Sequence, residues 1–475
     1  MAMLDFFSPP AARERLAADK IDAEYRRMRL KVFLGAFFGY AAYYLVRKNL
    51  SLAAPGMIAE GLLDKETAGF AMAGIPIAYA FSKFIMGSLS DHSDARKFLV
   101  VGLIIASLVM MSVGLVPYSQ SIAVNGAILF AFMLVVGWLS GMGWPPCGRI
   151  MAHWFSQNER SFKMSIWNCS HNVGGGSLGL LVSAGIAVFA VMGISESWRA
   201  AFIFPSVVAI CFAAFCWWTL RDTPESCGLP SIEEYRNDYT SRQAAAGEES
   251  KIPFRRLFVD YVFKNGLLWM IAIANVFVYF IRYGVSDWSP TYLQEMQIMS
   301  PDESRFAFSL FEYAGIPGTI ICGWLSSKFF SGRCAPVNVI YMIMVLVGIL
   351  GYWQAEAVAA LFGGGEGVLA MVVYFSLALT GFAVYGPIAL IGIQALSFVP
   401  KNAAGTAAGF VGLFGYLLGD ALLSKIVVGQ IAGHSSLGWG VTFWLFIVGC
   451  VVATLICAVT WKKEYVLMQQ RAAQH

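Results

Sequence analysis

The sequence predicts an all-α membrane protein with twelve transmembrane helices in two pseudo-symmetric six-helix bundles. Three observations predict it. Of the 475 residues, 58% are hydrophobic and only 13% are charged, whereas soluble domains carry about 25% charged residues. The apolar runs are about 20 residues long and do not alternate, which is the length an α-helix needs to cross hydrocarbon. The polar stretch 221–264 falls near the middle and leaves six apolar runs on either side. In lipid every backbone N–H and C=O must be satisfied within the chain, which allows helices or a closed barrel. The lack of alternation selects helices.

The twelve helices are expected at 32–55, 67–89, 97–117, 122–147, 162–192, 198–220, 265–288, 304–327, 336–355, 367–393, 403–430 and 437–461. The organisation is then an N-terminal segment (1–31), a first bundle (32–220), a central loop (221–264), a second bundle (265–461) and a tail (462–475). Basic residues crowd the N-terminal segment (Arg13, Arg15, Lys20, Arg26, Arg27, Arg29, Lys31), two loops (Arg96 and Lys97; Arg149, Arg160 and Lys163) and the tail (Lys462, Lys463). The alternate loops are nearly bare of base, with Lys65, Arg199 and Arg305 the main exceptions. Short basic loops stay on the cytoplasmic side, so both termini are expected there, as an even number of helices requires. Residues 1–31 are charged and lack the apolar core of a signal peptide.

Several chemistries are set aside by composition. The nine cysteines are scattered with no paired or metal-ligand spacing, and those in apolar runs read as small buried side chains. No metal site and no cofactor are expected. A net charge of +4 is modest, and no basic-aromatic patch suggests nucleic acid as a partner. A glycine run at Gly174-Gly175-Gly176 has no P-loop context, because no Gly-Lys dipeptide occurs. It reads instead as a place where another helix approaches closely. No cluster of histidines and acids suggests a phosphatase, and no enzyme is expected. The apolar outer faces need only lipid, so a monomer is expected.

The two halves echo each other. The first helix contains Tyr44-Leu45-Val46-Arg47 and the seventh Tyr279-Phe280-Ile281-Arg282, with the arginines 235 residues apart. Gly87-Ser88-Leu89-Ser90-Asp91, followed by Arg96-Lys97, is matched by Gly323-Trp324-Leu325-Ser326-Ser327, followed by Lys328 and Arg333. Repeated halves around a midplane site are the mark of secondary transporters. Charge inside a membrane helix costs about 2.5–3.5 kcal/mol on insertion scales, so each such residue needs a reason. Tyr40, Tyr44 and Arg47 are spaced i, i+4, i+7 and share one helix face; Asn275, Tyr279 and Arg282 repeat that spacing. A guanidinium offers a rigid fork of donors that matches phosphate oxygens two at a time. Two such forks from opposite halves would clamp one dianion.

Other polar residues fall within the helices. Lys83 sits one turn after Tyr79 and is a candidate third positive charge. Lys48 adjoins Arg47 but projects elsewhere on a continuous helix, so it is expected to snorkel towards water. Asn168, His171 and Asn172 precede the glycine run, and an imidazole titrates near neutrality, close to the second proton of a phosphate ester. Asp287 and Glu312 are expected to pair with Arg282 in the empty site. Tyr385 and Tyr416 can donate to phosphate oxygens.

The stretches Phe38-Gly39-Tyr40-Ala41-Ala42-Tyr43-Tyr44-Leu45-Val46-Arg47-Lys48-Asn49, Gly141-Met142-Gly143-Trp144-Pro145-Pro146-Cys147-Gly148-Arg149, Trp167-Asn168-Cys169-Ser170-His171-Asn172, Asp287-Trp288-Ser289-Pro290-Thr291-Tyr292 and Glu312-Tyr313-Ala314-Gly315-Ile316-Pro317-Gly318 resemble the major facilitator superfamily. Within it they resemble the organophosphate:phosphate antiporters, in the branch that carries glycerol-3-phosphate. The resemblance covers nearly the whole chain. It implies Arg47 and Arg282 as the phosphate-binding pair and His171 as a third contact. It also implies Tyr40, Tyr44, Tyr79, Lys83, Asn168, Tyr279, Tyr385 and Tyr416 as the pocket lining. Asp287 and Glu312 match the family's coupling acids, and Asp91 with Arg96 its gating loop. The implied activity is import of glycerol-3-phosphate against inorganic phosphate across a bacterial inner membrane, with the halves rocking about the site.

Two departures bear on that implication. Ser327 stands where the second-half loop normally carries aspartate. Gly419-Asp420, with Lys425, looks more like the hexose-phosphate carriers, so a hexose-6-phosphate substrate is the alternative. A phosphate-ester sensor built on the same scaffold is a third reading.

Overall fold

The computed structural model describes residues 6–195, 197–237, 257–399 and 403–472. The expected central loop is therefore described only in part, and the last three residues of the expected tail lie outside the described residues. Among the described residues every regular element is helical. Eleven helices among the described residues are long and apolar enough to cross a membrane. The twelfth crossing is the first in the chain, and it is made of two pieces, α1 (Ala18–Tyr44) and α2 (Asn49–Ala59). The first half continues with α3 (Lys65–Asp91), α4 (Ala95–Leu115), α5 (Ile122–Ser140), α6 (Trp144–Trp154), α7 (Gln157–Asn168), α8 (Ser170–Val191) and α9 (Ala200–Thr219). A short α10 (Ile232–Arg236) follows. The second half holds α11 (Gly266–Glu295), α12 (Pro301–Phe329), α13 (Ala335–Trp353), α14 (Ala355–Leu361), α15 (Glu366–Ser397), α16 (Ala404–Phe414), a wide π-helical stretch Gly415–Val427, α17 (Val428–Gly433) and α18 (Gly438–Ala472).

Several helices start on a polar cap, because orphan N–H groups find no partner in lipid. Asp64 accepts from Thr67 N at 2.7 Å, Asp94 from Arg96 N at 2.9 Å and Asn265 from Leu267 N at 3.1 Å. Ser300 and Glu303 form a reciprocal capping box at the start of α12. Helix α1 begins at Ala18, well before the expected 32. Hydropathy marks the hydrocarbon-embedded part of a helix and is blind to its polar extension.

The expected continuous first helix is corrected by the structure. After Tyr44 the ladder tightens to i→i+3 bonds, Leu45 N to Ala42 O at 3.1 Å and Val46 N to Tyr43 O at 3.4 Å. The fully buried Asn49 side chain then donates to the Leu45 carbonyl at 2.9 Å and to the Ala201 carbonyl at 2.7 Å. Non-helical backbone at membrane depth persists only where freed groups are re-satisfied inside protein, and Asn49 does this. Arg47 and Lys48 both sit in the break.

The halves meet where α8 packs against α12, where α3 packs against α16, the 415–427 stretch and α17, and where α2 packs against α11. An even number of crossings puts both termini on one side. On the opposite, far side the halves are closed. Lys65 reaches Glu295 at 2.6 Å, and Trp439 donates to the same carboxylate at 3.1 Å. Arg305 donates to Ser183 at 2.8 Å, and Ser183 to Asp302 at 2.9 Å. A Cβ on Gly69 would lie 2.3 Å from the Lys425 carbonyl oxygen and 3.2 Å from Gly429 Cα. Only a hydrogen at Gly69 lets these two backbones meet.

Candidate functional site

The glycine run in α8 sets the geometry of the centre. A Cβ on Gly174 would lie 2.1 Å from the Ala41 carbonyl oxygen of α1, and one on Gly175 would lie 3.1 Å from the Glu312 carboxyl of α12. The close approach expected from the sequence is thus made by two helices, one from each half. Asn172 fixes it further by donating to the Glu312 backbone carbonyl at 3.0 Å, and Ser177 bonds the Tyr313 hydroxyl at 2.8 Å.

Arg47 and Arg282 are both buried. Arg47 stacks over the Tyr79 ring, its guanidinium carbon 4.0 Å from the centroid, and donates to the Tyr44 hydroxyl at 3.4 Å. Arg282 lies over Tyr385 and Tyr283 at 4.5 and 4.6 Å and donates to the Tyr385 hydroxyl at 3.0 Å. Its buried Nε has no hydrogen-bond partner. Among the described residues neither guanidinium forms an ion pair with a carboxylate. Both are held by tyrosines, which orient a cation without neutralising it.

The carboxylates are engaged by lysines, which corrects two expectations. Lys48 does not snorkel; it is buried, 3.0 Å from Asp287 and 2.9 Å from Glu312, and donates to Ser286 at 2.8 Å. Helical phase fails at the break, and the carboxylates come from the other half, which one helix read alone does not show. Asp287 and Glu312 do not pair directly with Arg282. Asp287 is shared between Lys48 and Lys425, and Lys425 lies 3.6 Å from Asp420. Arg282 reaches Glu312 through Tyr385, whose hydroxyl accepts from the arginine and donates to the carboxylate. The π-helical winding of 415–427 suits Asp420 and Lys425, because i and i+5 align there while an α-helix turns them apart.

With every group in its ordinary charge state, four buried cations (Arg47, Lys48, Arg282, Lys425) meet three buried carboxylates (Asp287, Glu312, Asp420). One positive charge is left over, and Lys83 at the cavity rim makes it two. Desolvating an ion costs several kcal/mol unless it is paired. The arrangement can therefore receive an anion.

The space for it is a cavity of about 170 Å³ lined by Tyr40, Tyr44, Tyr79, Lys83, Asn168, His171, Tyr279, Arg282, Tyr385 and Tyr416. Every residue expected in the lining except Arg47 borders this cavity. Arg47 instead borders an adjoining space of about 30 Å³, with Lys48, Asp287, Asp420 and Lys425. Drug-sized sites enclose roughly 300–1,000 Å³, so the cavity admits only a small solute. It extends towards the terminus-bearing side, where Lys83 faces the Trp144 ring at 5.8 Å. Trp144, Thr319, Ile388 and Ala389 also line it and were not singled out from the sequence. An apolar residue in an apolar helix gives no signal of facing a cavity; Trp144 had one, standing between Gly143 and two prolines.

His171 Nδ1 contacts the Asn168 backbone oxygen. A carbonyl only accepts, so Nδ1 carries the proton and Nε2 is the atom left to meet a ligand. The ring is wedged between Tyr44 and Tyr385, 5.6 Å from each centroid. Tyr79 and Tyr416 meet across the halves at 4.9 Å, and Tyr416 meets Tyr279 at 5.1 Å. Asn275, although in phase with Arg282, donates to the Val411 carbonyl at 3.0 Å and serves packing.

The expected gating-loop residues lie far from this centre. The Asp91 side chain is exposed, and its backbone carbonyl takes Arg149. Arg96 packs over Trp217 at 4.7 Å. The buried acids of that region are Asp94, which caps α4, and Asp222, which takes Arg149 at 3.2 and 3.1 Å.

Comparison with known proteins gives the family. The sequence model of the Major Facilitator Superfamily matches residues 36–424. A glycerol-3-phosphate transporter of Bacillus subtilis (strain 168) is 46% identical over 459 residues, spanning 97% of this chain and 98% of its own. One from Haemophilus influenzae is 43% identical over 470 residues, 96% of each chain. A probable hexose phosphate transport protein of Chlamydia pneumoniae is 33% identical over 96% of each chain. Among solved structures, an inward-facing, unoccupied bacterial homologue of the human lysosomal transporter Spinster gives a TM-score of 0.64. It covers 93% of this chain and 97% of that one at 16% identity, a likeness of fold alone.

Proposed function

Because the chain belongs to the major facilitator superfamily, we propose that it is an antiporter that imports glycerol-3-phosphate in exchange for inorganic phosphate. The observation that carries this reading is the pair of buried arginines, one per half, held by tyrosines and free of carboxylates. A phosphate dianion matches the two positive charges left over at the site. Arg47 and Arg282 clamp its oxygens, His171 Nε2 and Lys83 complete the shell, and the tyrosines and Asn168 orient the ester. The similarity to two glycerol-3-phosphate transporters supports the substrate, and so does the small cavity.

On this reading the protein lies in a bacterial inner membrane as a monomer, with both termini cytoplasmic. Two bundles, 32–220 and 265–461, rock about the site. The far-side contacts then close the periplasmic face, and the cavity faces the cytoplasm. Lys48, Asp287 and Glu312 hold the halves together when no ligand is bound. A bound dianion shifts the balance only through its different affinity for the two states. Asp91 and Arg96 belong to the loop that moves when the cytoplasmic face closes, and an outward phosphate gradient drives turnover.

A hexose-6-phosphate carrier is the second reading, favoured by the Asp420–Lys425 pair beside the site. Competition against labelled phosphate uptake in proteoliposomes separates the two. Glycerol-3-phosphate should inhibit at concentrations at least about tenfold below glucose-6-phosphate, a difference of one hydrogen bond in a charged site. The reverse order assigns the hexose ester.

A further inference from the structure

Away from the centre, a second polar cavity of about 470 Å³ opens on the terminus-bearing face of the first half. It lies between the N-terminal stretch around Pro10 and Arg13, the start of α1, the α3–α4 turn and the residues after α9. The N-terminal stretch is fixed in place. Asp94 N donates to the Phe7 carbonyl at 2.7 Å, Lys97 Nζ to the Phe6 carbonyl at 2.8 Å, and Arg13 N to the Glu225 carbonyl at 2.9 Å.

Five basic side chains line this cavity (Arg13, Arg27, Lys31, Arg96, Arg221) against three acids (Glu24, Asp94, Asp222). The acids already have partners. Asp222 takes Arg149 twice and Ala95 N at 2.9 Å. Asp94 accepts from Arg96 N and Lys97 N at the start of α4. Glu24 takes Arg27 at 3.2 Å. Burial, then the nearby Arg96 and Arg13 guanidiniums, pushes Arg221 below its ordinary value.

The flank of the cavity faces lipid. Trp217 and Trp218 end the apolar helix α9 and are 43% and 66% exposed. Trp218 lines the cavity, Lys31 lies over its ring at 4.7 Å, and Arg96 lies over Trp217 at the same distance. Tryptophan at the end of an apolar helix sits at headgroup depth, and basic pockets beside membrane helices hold phosphate headgroups.

We propose that this cavity binds the phosphodiester headgroup of an anionic phospholipid, with Arg13, Lys31 and Arg221 on the phosphate and Trp218 against the glycerol backbone. The bilayer-facing tryptophan favours lipid over a free anion. The bound lipid would tie the N-terminal stretch to the first half and leave the central site untouched.

The test is native mass spectrometry of the full-length, detergent-purified protein with dioleoylphosphatidylglycerol or dioleoylphosphatidylcholine, paired with thermal melting under the same additions. Phosphatidylglycerol should stay bound under activation that strips phosphatidylcholine. The Arg13→Gln/Lys31→Gln variant should hold it roughly 30-fold more weakly, from two lost surface cations. Equal retention of the two lipids, or unchanged retention in the variant, overturns the proposal. Inorganic phosphate serves as a third arm. If the variant also loses the phosphate-induced rise in Tm, the cavity is a free-anion site and the lipid assignment fails. Should the double variant not fold, Arg13→Gln alone, at an exposed side chain, is read in the same way.

Discussion

Lys48, in the break of the first crossing, holds Glu312 of the opposite half at 2.9 Å. The same ammonium reaches Asp287 at 3.0 Å, so one lysine ties two helices of the second half to one of the first. Removing one partner of a buried pair leaves an orphan charge and costs about 3–5 kcal/mol. Lys48→Met should therefore lower Tm sharply in detergent. Glu312 is the more orphaned acid, because Asp287 keeps Lys425. Adding Glu312→Gln should restore part of the loss, and a fluorescence melting series of the two singles and the double measures that coupling.

Tyr385 links Arg282 to Glu312 through a single hydroxyl. Tyr385→Phe removes the hydroxyl's hydrogen bonds to two charged groups, Arg282 and Glu312, each worth about 1.5–3 kcal/mol. Phosphate binding by isothermal calorimetry should weaken roughly 10–100-fold, with Tm changed little because the ring remains. A binding constant equal to wild type would show that the hydroxyl plays no part in setting the arginine.

Gly69 permits backbone contact between α3 and the far end of the 415–427 stretch. Gly69→Val adds bulk where a single Cβ already lies 2.3 Å from the Lys425 carbonyl oxygen. The far side should then stay open. Electron-spin distances between labels at Glu66→Cys and His434→Cys, in a cysteine-depleted background, should lengthen by several ångströms relative to the Gly69 protein. Phosphate exchange should fall in parallel.

Much of this architecture was legible because lipid leaves few options. Hydropathy located the crossings, and the repeat of Tyr44-to-Arg47 in Tyr279-to-Arg282 singled out both arginines without any structure. The break at Leu45–Lys48 was not legible, since no proline or glycine marks it. It depends on Asn49 finding the Ala201 carbonyl of another helix. The place of Lys48 is hidden for the same reason: helical phase fixes a side chain's direction only along a continuous helix, and this one stops at Tyr44. Lys425 stood out only as a departure, because its partner Asp287 lies 138 residues away and i, i+5 pairing needs a π-helix. Ile388 and Ala389 face the cavity, and only the preceding Gly386-Pro387 sets them apart from lipid-facing neighbours.

The proposed clamp consists of two buried arginines, one per half, on a phosphate that is exchanged across the membrane. Labelled-phosphate exchange into proteoliposomes preloaded with phosphate or glycerol-3-phosphate probes this clamp, comparing wild type with Arg47→Lys and Arg282→Lys. Lysine keeps the charge and loses the fork of donors. Wild type should exchange with either internal solute, and each lysine variant should fall by roughly 10–100-fold or more, the cost of a charge-assisted hydrogen bond. Near-normal exchange in Arg47→Lys, or phosphate binding by wild type with no exchange at all, would rule out an arginine clamp that drives exchange.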